Sequence, residues 1–180
     1  MTTETNIRGQ KVVLRDKRIE DGEDDHRWRA DQELAELDAA PRLRQPLSDF
    51  LRDYENELKY PSPWVRRYGI DTLDGLHIGN CMVYDIDNFK GQCEVGILVG
   101  NRDYWGRGYG REAVQLLVAQ CFKNAAMNRL YLHTLEWNAR ARRAFGMCGF
   151  REVKPVRRAG YNFILMELTR EEWEALQGGA

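Results

Sequence analysis

Three glycines alternate within five positions at Gly106-Arg107-Gly108-Tyr109-Gly110, between a run of β-type residues at 94–99 and a strong helical pattern. Glycine tolerates positive φ and, lacking a Cβ, lets another molecule approach the backbone. A row of unblocked N–H groups followed at once by a helix N-terminus is a ready anion site. A plain strand-to-helix turn has no use for three residues that are each costly to order. The stretch therefore implies a cradle for a diphosphate, held open between a strand and a helix.

The flanking pattern supplies that frame. Val114, Leu117, Val118, Cys121, Phe122 and Ala125 recur at helical spacing after the loop. Residues 130–135 read as a strand, and their connection through a whole helix makes them a candidate parallel partner of residues 94–99. Asn138 opens another helix with Ala141, Ala144, Phe145 and Cys148 on one face, and Gly149 stops it. Residues 150–156 and 161–168 form a hairpin, and Thr169 with Glu172 makes a capping box for a last helical turn.

Upstream, residues 11–15 are a short strand after a turn at Gly9. Residues 47–60 form a helix with Ser48 as N-cap and a stripe of Phe50, Leu51, Tyr54 and Leu58. The runs 64–71, 77–84 and 92–99 are joined by turns at Asp74-Gly75 and 87–91, so they form an antiparallel meander, because short turns cannot connect parallel strands. Residues 20–38 are polar and helix-prone. They carry Glu20, Asp21, Glu23, Asp24, Asp25, Asp31, Glu33, Glu36 and Asp38 against Arg27 and Arg29. Two readings are open for them, a solvated helix face or an acidic lip that draws in a cationic substrate. With no repeat, low-complexity tract or linker, all 180 residues read as one α/β domain.

The totals narrow the function. A formal net charge of −1 argues against a general nucleic-acid binder. No apolar run approaches the roughly 18 residues of a membrane span, and residues 1–6 show no leader pattern. Cys81, Cys93, Cys121 and Cys148 are far apart, and His26, His77 and His133 are scattered, so no metal site is expected. A reduced, cytoplasmic protein is the expectation.

Gly108-Tyr109-Gly110-Arg111-Glu112-Ala113 fits the dinucleotide pattern Gly-x-Gly-x-x-Ala, but residues 100–105 separate it from its strand, and too few parallel strands remain. A P-loop is excluded, since no Gly-x4-Gly-Lys-Ser/Thr occurs. A third match covers far more of the chain. Trp105-Gly106-Arg107-Gly108-Tyr109-Gly110 at a helix mouth, then Asn138 through Phe145 to Gly149-Phe150, resembles the GNAT superfamily of N-acetyltransferases. The Tyr-Trp-Gly-x-Gly-Tyr-Gly form and the ending from Asn162 to Trp173 are most similar to its ribosomal-protein-acetyltransferase-like (RimJ/RimL) branch. Trp105 stands where the family motif has Arg or Gln.

The resemblance implies a GNAT fold of the α+β type. Its sheet is mixed, mostly antiparallel and seven-stranded, flanked by helices, with a splayed parallel pair carrying Glu94 and His133. It implies acetyl-CoA as cosubstrate in the cleft, with Ile97, Leu98 and Val99 bonding the pantetheine and the Leu98 amide facing the thioester carbonyl. Gly106, Arg107, Gly108, Tyr109, Gly110 and Arg111 would hold the pyrophosphate, and Asn138 the pantetheine arm. Arg140 and Arg143 join Arg107 and Arg111 as candidates for phosphate contacts. Glu94 is the implied base, acting through water. The usual acid, a tyrosine seven residues after the Asn, is here Phe145, so Tyr161 or water substitutes, or no acid is needed. Ala141 takes a place where branch members often have Ser.

The implied reaction is direct attack of a primary amine on the thioester. The acceptor is a protein N-terminus, as the branch suggests, or a small amine, as an acidic lip would suggest. Arg157 and Arg158 would favour an acceptor that carries a carboxylate. A homodimer is common in such a family. The rivals are a non-catalytic acyl-CoA-binding or sensing module, which Phe145 makes conceivable, and a dinucleotide-binding protein.

Overall fold

The computed structural model describes residues 5–178; residues 1–4, part of the stretch that shows no leader pattern in sequence, lie outside the described residues. One sheet organises the chain. Its strands are β1 (Asn6–Arg8), β2 (Val12–Asp16), β3 (Arg66–Thr72), β4 (His77–Asp87), β5 (Gln92–Val99), β6 (Arg129–Leu135), β7 (Arg151–Arg158) and β8 (Tyr161–Thr169). The spatial order is β1-β2-β3-β4-β5-β6-β8-β7, eight strands where seven were expected. The additional strand is β1, which pairs with β2 through a turn closed by the Gly9 N–H donating to the Val12 carbonyl at 2.8 Å. At three residues it is too short to show an alternation in sequence.

Every neighbouring pair is antiparallel except β5 and β6. Their parallel register covers only Gln92↔Arg129, Cys93↔Leu130 and Glu94↔Tyr131. A dinucleotide fold, which needs a mostly parallel sheet, is thereby set aside.

Helix α4 (Tyr109–Phe122), the helix after the glycine loop, covers the sheet centre and buries Ala113, Val114, Leu117, Val118 and Phe122. These pack in one cluster with Val12, Leu14, Ile70, Ile78, Val95, Leu130 and Leu168. Full burial of each large side chain contributes about 1.5–3 kcal/mol. Strand alternation sends Arg15 of β2 the other way, where it meets Asp21 at 2.7 Å and Asp71 at 2.7 Å.

The acidic stretch is not one continuous helix. A 3-10 turn (Ile19–Asp21) leads to α1 (Gly22–Arg29) and α2 (Gln32–Leu37). Ala30 ends the first, and Asp31 caps the second, accepting from the Leu34 N–H at 3.0 Å. Most of its acids are engaged by partners of this chain. Lys17 lies 3.3 Å from Asp21 and 3.0 Å from Asp25, His77 lies 3.1 Å from Asp24, and Arg102 bridges Asp31 and Glu33 at 2.8 Å each.

Helix α3 (Leu47–Lys59) is capped by Pro46 rather than Ser48, because proline's fixed φ, here −58°, sets the entry to the first turn. Helix α5 (Ala139–Gly146) ends at Met147, and Gly149, at φ 96°, makes the left-handed exit two residues later than a stop directly after the helix. Helix α6 (Arg170–Gly178) starts at the expected capping box, with the Thr169 N–H donating to Glu172 at 2.8 Å and the Glu172 N–H to Thr169 Oγ1 at 3.3 Å. No helix of the described residues is long and apolar enough to cross a membrane.

Candidate active site

Beyond Glu94↔Tyr131 the strands β5 and β6 no longer pair, and a cavity of about 930 Å³ opens between Gly96–Val99 on one side and Leu132–Leu135 on the other. The glycine loop lies at the end of β5, where the chain turns back into α4. Gly106 (φ 69°) and Gly108 (φ 87°) are both left-handed, and Gly108 is the N-cap of α4. A Cβ built at Gly106 would meet nothing within 4 Å, so the backbone there is open. The first N–H groups of α4 have no helical acceptor, which leaves them free for an anion.

Trp105 has a structural task at its unusual position. Its indole N–H donates to the Val99 carbonyl at 2.6 Å, tying the loop to the end of β5, and Arg140 lies 3.9 Å over its ring. Arg107, Arg111, Arg140, Arg143 and Lys11 line this end of the cavity, a cation set that fits a pyrophosphate. Lys11 carried no sequence signal, because it reaches the loop from β2's end of the sheet.

At the other end Glu94 is 2 % exposed, not an exposed strand carboxylate. His133 Nδ1 hydrogen-bonds Glu94 Oε1 at 2.7 Å, and Arg158 Nη1 stands 3.9 Å from Oε2. His133 Nε2 has no hydrogen-bond partner among the described residues, and His133 lines the cavity. Tyr84 is opposite Glu94 in the β4–β5 register. Burial pushes its phenol well above the ordinary range, and the Glu94 charge adds to the shift. Asp38, just after α2, keeps surface access in the concave mouth; burial raises its carboxyl, partly opposed by Arg29.

Every catalytic and cofactor-contact residue expected from the sequence lines this cavity except Tyr109. Tyr109 instead packs edge-on against Tyr104 at 4.8 Å. Asn138 caps α5, accepting from the Ala141 N–H at 3.1 Å, so its carbonyl oxygen is already engaged. Phe145 also lines the cavity and packs on Phe150 at 6.1 Å. Of the two arginines before the last hairpin turn, Arg158 faces the cavity and Arg157 does not.

Sequence reasoning gave no role to His133 or Tyr84, and it named Asp38 only as one of nine acids in a candidate lip. The register would have found the first two, since His133 lies two residues beyond Tyr131, the partner of Glu94, on the same strand face. Both pairings, Glu94↔Tyr131 across β5–β6 and Tyr84↔Glu94 across β4–β5, join segments whose offset no local pattern in the sequence marks.

Residues 11–151 match the family model described as acetyltransferase (GNAT) domain. The chain belongs to the GNAT acetyltransferase family. It is accordingly an acetyl-CoA-dependent N-acyltransferase, with the splayed pair, glycine loop and Asn138 helix inside the matched span. It is 25% identical over 166 residues to an N-acetyltransferase 9-like protein from Caenorhabditis briggsae, covering 83% of this chain and 78% of that one. A solved aminoglycoside acetyltransferase AAC(6')-Ib in complex with coenzyme A superposes with a TM-score of 0.78 at 23% identity, over 92% of this chain and 99% of the other. Spermidine N-acetyltransferase from Vibrio cholerae, in complex with CoA and spermine, gives 0.80 at 16% identity, over 92% and 99%. At these identities the two structures share the fold.

Proposed function

We propose that this GNAT enzyme moves the acetyl group of acetyl-CoA to a primary amine, a protein N-terminus or a small-molecule amine, by direct attack at the splay. The observation that carries this is a carboxylate–imidazole pair, the buried Glu94 with the half-buried His133 at 2.7 Å, lying where β5 and β6 part. The Tyr-Trp-Gly-Arg-Gly-Tyr-Gly form of residues 104–110 supports placement in the ribosomal-protein-acetyltransferase-like branch.

Acetyl-CoA supplies an activated acyl group as a thioester. The loop from Gly106 to Arg111 and Arg143 grip its pyrophosphate, the NH2 of Asn138 meets the pantetheine arm, and Ile97, Leu98 and Val99 hold that arm along β5. The Leu98 N–H polarises the thioester carbonyl.

The costly step is freeing the amine. An alkylamine of pKa near 10.4 is neutral in about one molecule in a thousand at pH 7.4, a cost of about 4 kcal/mol. A thiol of pKa near 8.5 leaves at little cost. The residues match that asymmetry. Glu94 and His133 form a proton-accepting pair, whereas the usual acid position holds Phe145, with Tyr161 the nearest candidate to replace it. As the amine nitrogen bonds the carbonyl carbon, its proton passes to the pair and the thiolate departs.

The test is a thermal shift with acetyl-CoA together with mass-detected transfer to a mixed amine panel. A stabilised protein and an acetylated product are expected. Neither shift nor product would overturn the reading of the glycine loop.

A further inference from the structure

The acceptor end of the cavity is poor in carboxylates and rich in aromatic rings. Of the nine acids between Glu20 and Asp38, Asp38 is the one that lines it. Asp21 and Asp25 face Lys17, Asp24 faces His77, and Asp31 and Glu33 are bridged by Arg102. Among the described residues the only other carboxylate on the wall is Glu94, which is bonded to His133 and neighboured by Arg158. Tyr84, Tyr161, Phe163 and Leu37 complete this end.

The rim is also shaped by strain. Ala39, directly after Asp38, has φ 51°, and Ala159, in the turn after Arg158, has φ 49°. Both line the cavity. Non-glycine residues in the left-handed region cost energy and persist where the surroundings hold them, commonly at ligand sites.

We infer that the acceptor is an amine with a single ammonium on an apolar or aromatic body, and not a polycation. The inference rests on the acetyl-transfer reading above and narrows its substrate class. A polycation would bring two or more extra ammonium groups past Arg158, with one uncommitted carboxylate to meet them. An ammonium brought close to the Arg158 guanidinium without a carboxylate beside it is disfavoured by like charge. A single ammonium meets Asp38 at the mouth and then the Glu94–His133 pair, while the rings accept an apolar body and attract its cationic end.

The source of the amine is set by experiment. Phenethylamine, phenylalanine and a tetrapeptide beginning with phenylalanine share one ring and one ammonium; spermine and kanamycin carry several ammonium groups. Each is supplied with acetyl-CoA to the full chain, and kcat/KM is read from product mass. At least one monoamine should exceed both polycations by about tenfold, equivalent to one well-placed charge or ring contact. Asp38→Asn should raise the KM for that monoamine about fivefold, with a smaller effect on kcat. Preference for spermine or kanamycin overturns the inference and leaves acetyl transfer standing. Acetyl-CoA stabilisation with none of the five acetylated also overturns it. Absence of any acetyl-CoA shift removes the underlying function instead.

Discussion

Two clusters of acids and bases sit on this sheet, and they differ in what is left unsatisfied. Around Arg15 the partners close on one another. The guanidinium donates from Nε and Nη2 to Asp71 and from Nη1 and Nη2 to Asp21, each at 2.7–2.8 Å. Lys17 joins Asp21 to Asp25, and Asn80 donates to Asp25 at 2.6 Å. Around Glu94 one bond is made well, to His133, Arg158 stays at 3.9 Å, and His133 Nε2, on a cavity-lining side chain, has no partner among the described residues. A cluster in which each charge has its partner holds elements together, here the 3-10 turn against β2 and β3. A cluster with an open nitrogen at a cavity can take a proton from something that enters.

The largest effect should come from breaking the closed cluster. Asp21→Asn leaves part of a buried guanidinium unpaired, a loss of about 3–5 kcal/mol, which corresponds to a fall of roughly 10 °C in Tm for a chain of this size. Activity per folded molecule should persist, as measured by calorimetry beside acetyl transfer. The pH dependence has a definite sign. Burial alone would raise the Asp21 carboxyl, but the hydrogen bond from Arg15, the Lys17 charge and the Arg18 N–H outweigh it and hold it well below the ordinary range. A carboxyl depressed on folding contributes stability above its unfolded value of about 3.9, lost as pH falls through the folded value. The gap in Tm between wild type and Asp21→Asn should therefore narrow under strong acid.

Breaking the open cluster should do the reverse. His133→Gln and Glu94→Gln are each expected to lower kcat/KM by about a hundredfold or more, with a smaller change in Tm than Asp21→Asn. The double variant should fall little further, because the two act as one unit. Full additivity would show that they work separately.

The cradle ranks third. Gly108→Ala forces a left-handed alanine at φ 87°, a strain of about 1–2 kcal/mol, and sets a methyl group beside the anion path. Acetyl-CoA affinity by titration calorimetry should drop. Gly146→Ala, inside α5 with open space around it, should leave that affinity alone.

The smallest effect is expected at Tyr161, which is 38% exposed at the acceptor end. Tyr161→Phe should change kcat by about threefold or less, since a thiolate of ordinary acidity leaves unaided. A large loss would make Tyr161 the acid and remove the contrast with the proton-accepting pair.

Much of this molecule was legible as local pattern. Gly106, Gly108 and the apolar stripe from Val114 to Phe122 announce a strand–cradle–helix unit, because positive φ and helical spacing are constraints between near neighbours. The same holds for Asn138 as a cap and for the Thr169–Glu172 box. Glu94 was legible as a strand carboxylate next to the cradle, but its burial was not.

What only the tertiary structure decided are relations between distant segments. His133 becomes the partner of Glu94 through a three-residue parallel register. Asp38 faces the cavity while its acidic neighbours turn to Arg15, Lys17 and Arg102, a choice made by which bases the folded sheet brings near. Local propensity is written in windows of a few residues, whereas charge pairing depends on distances that exist only after the chain has closed on itself.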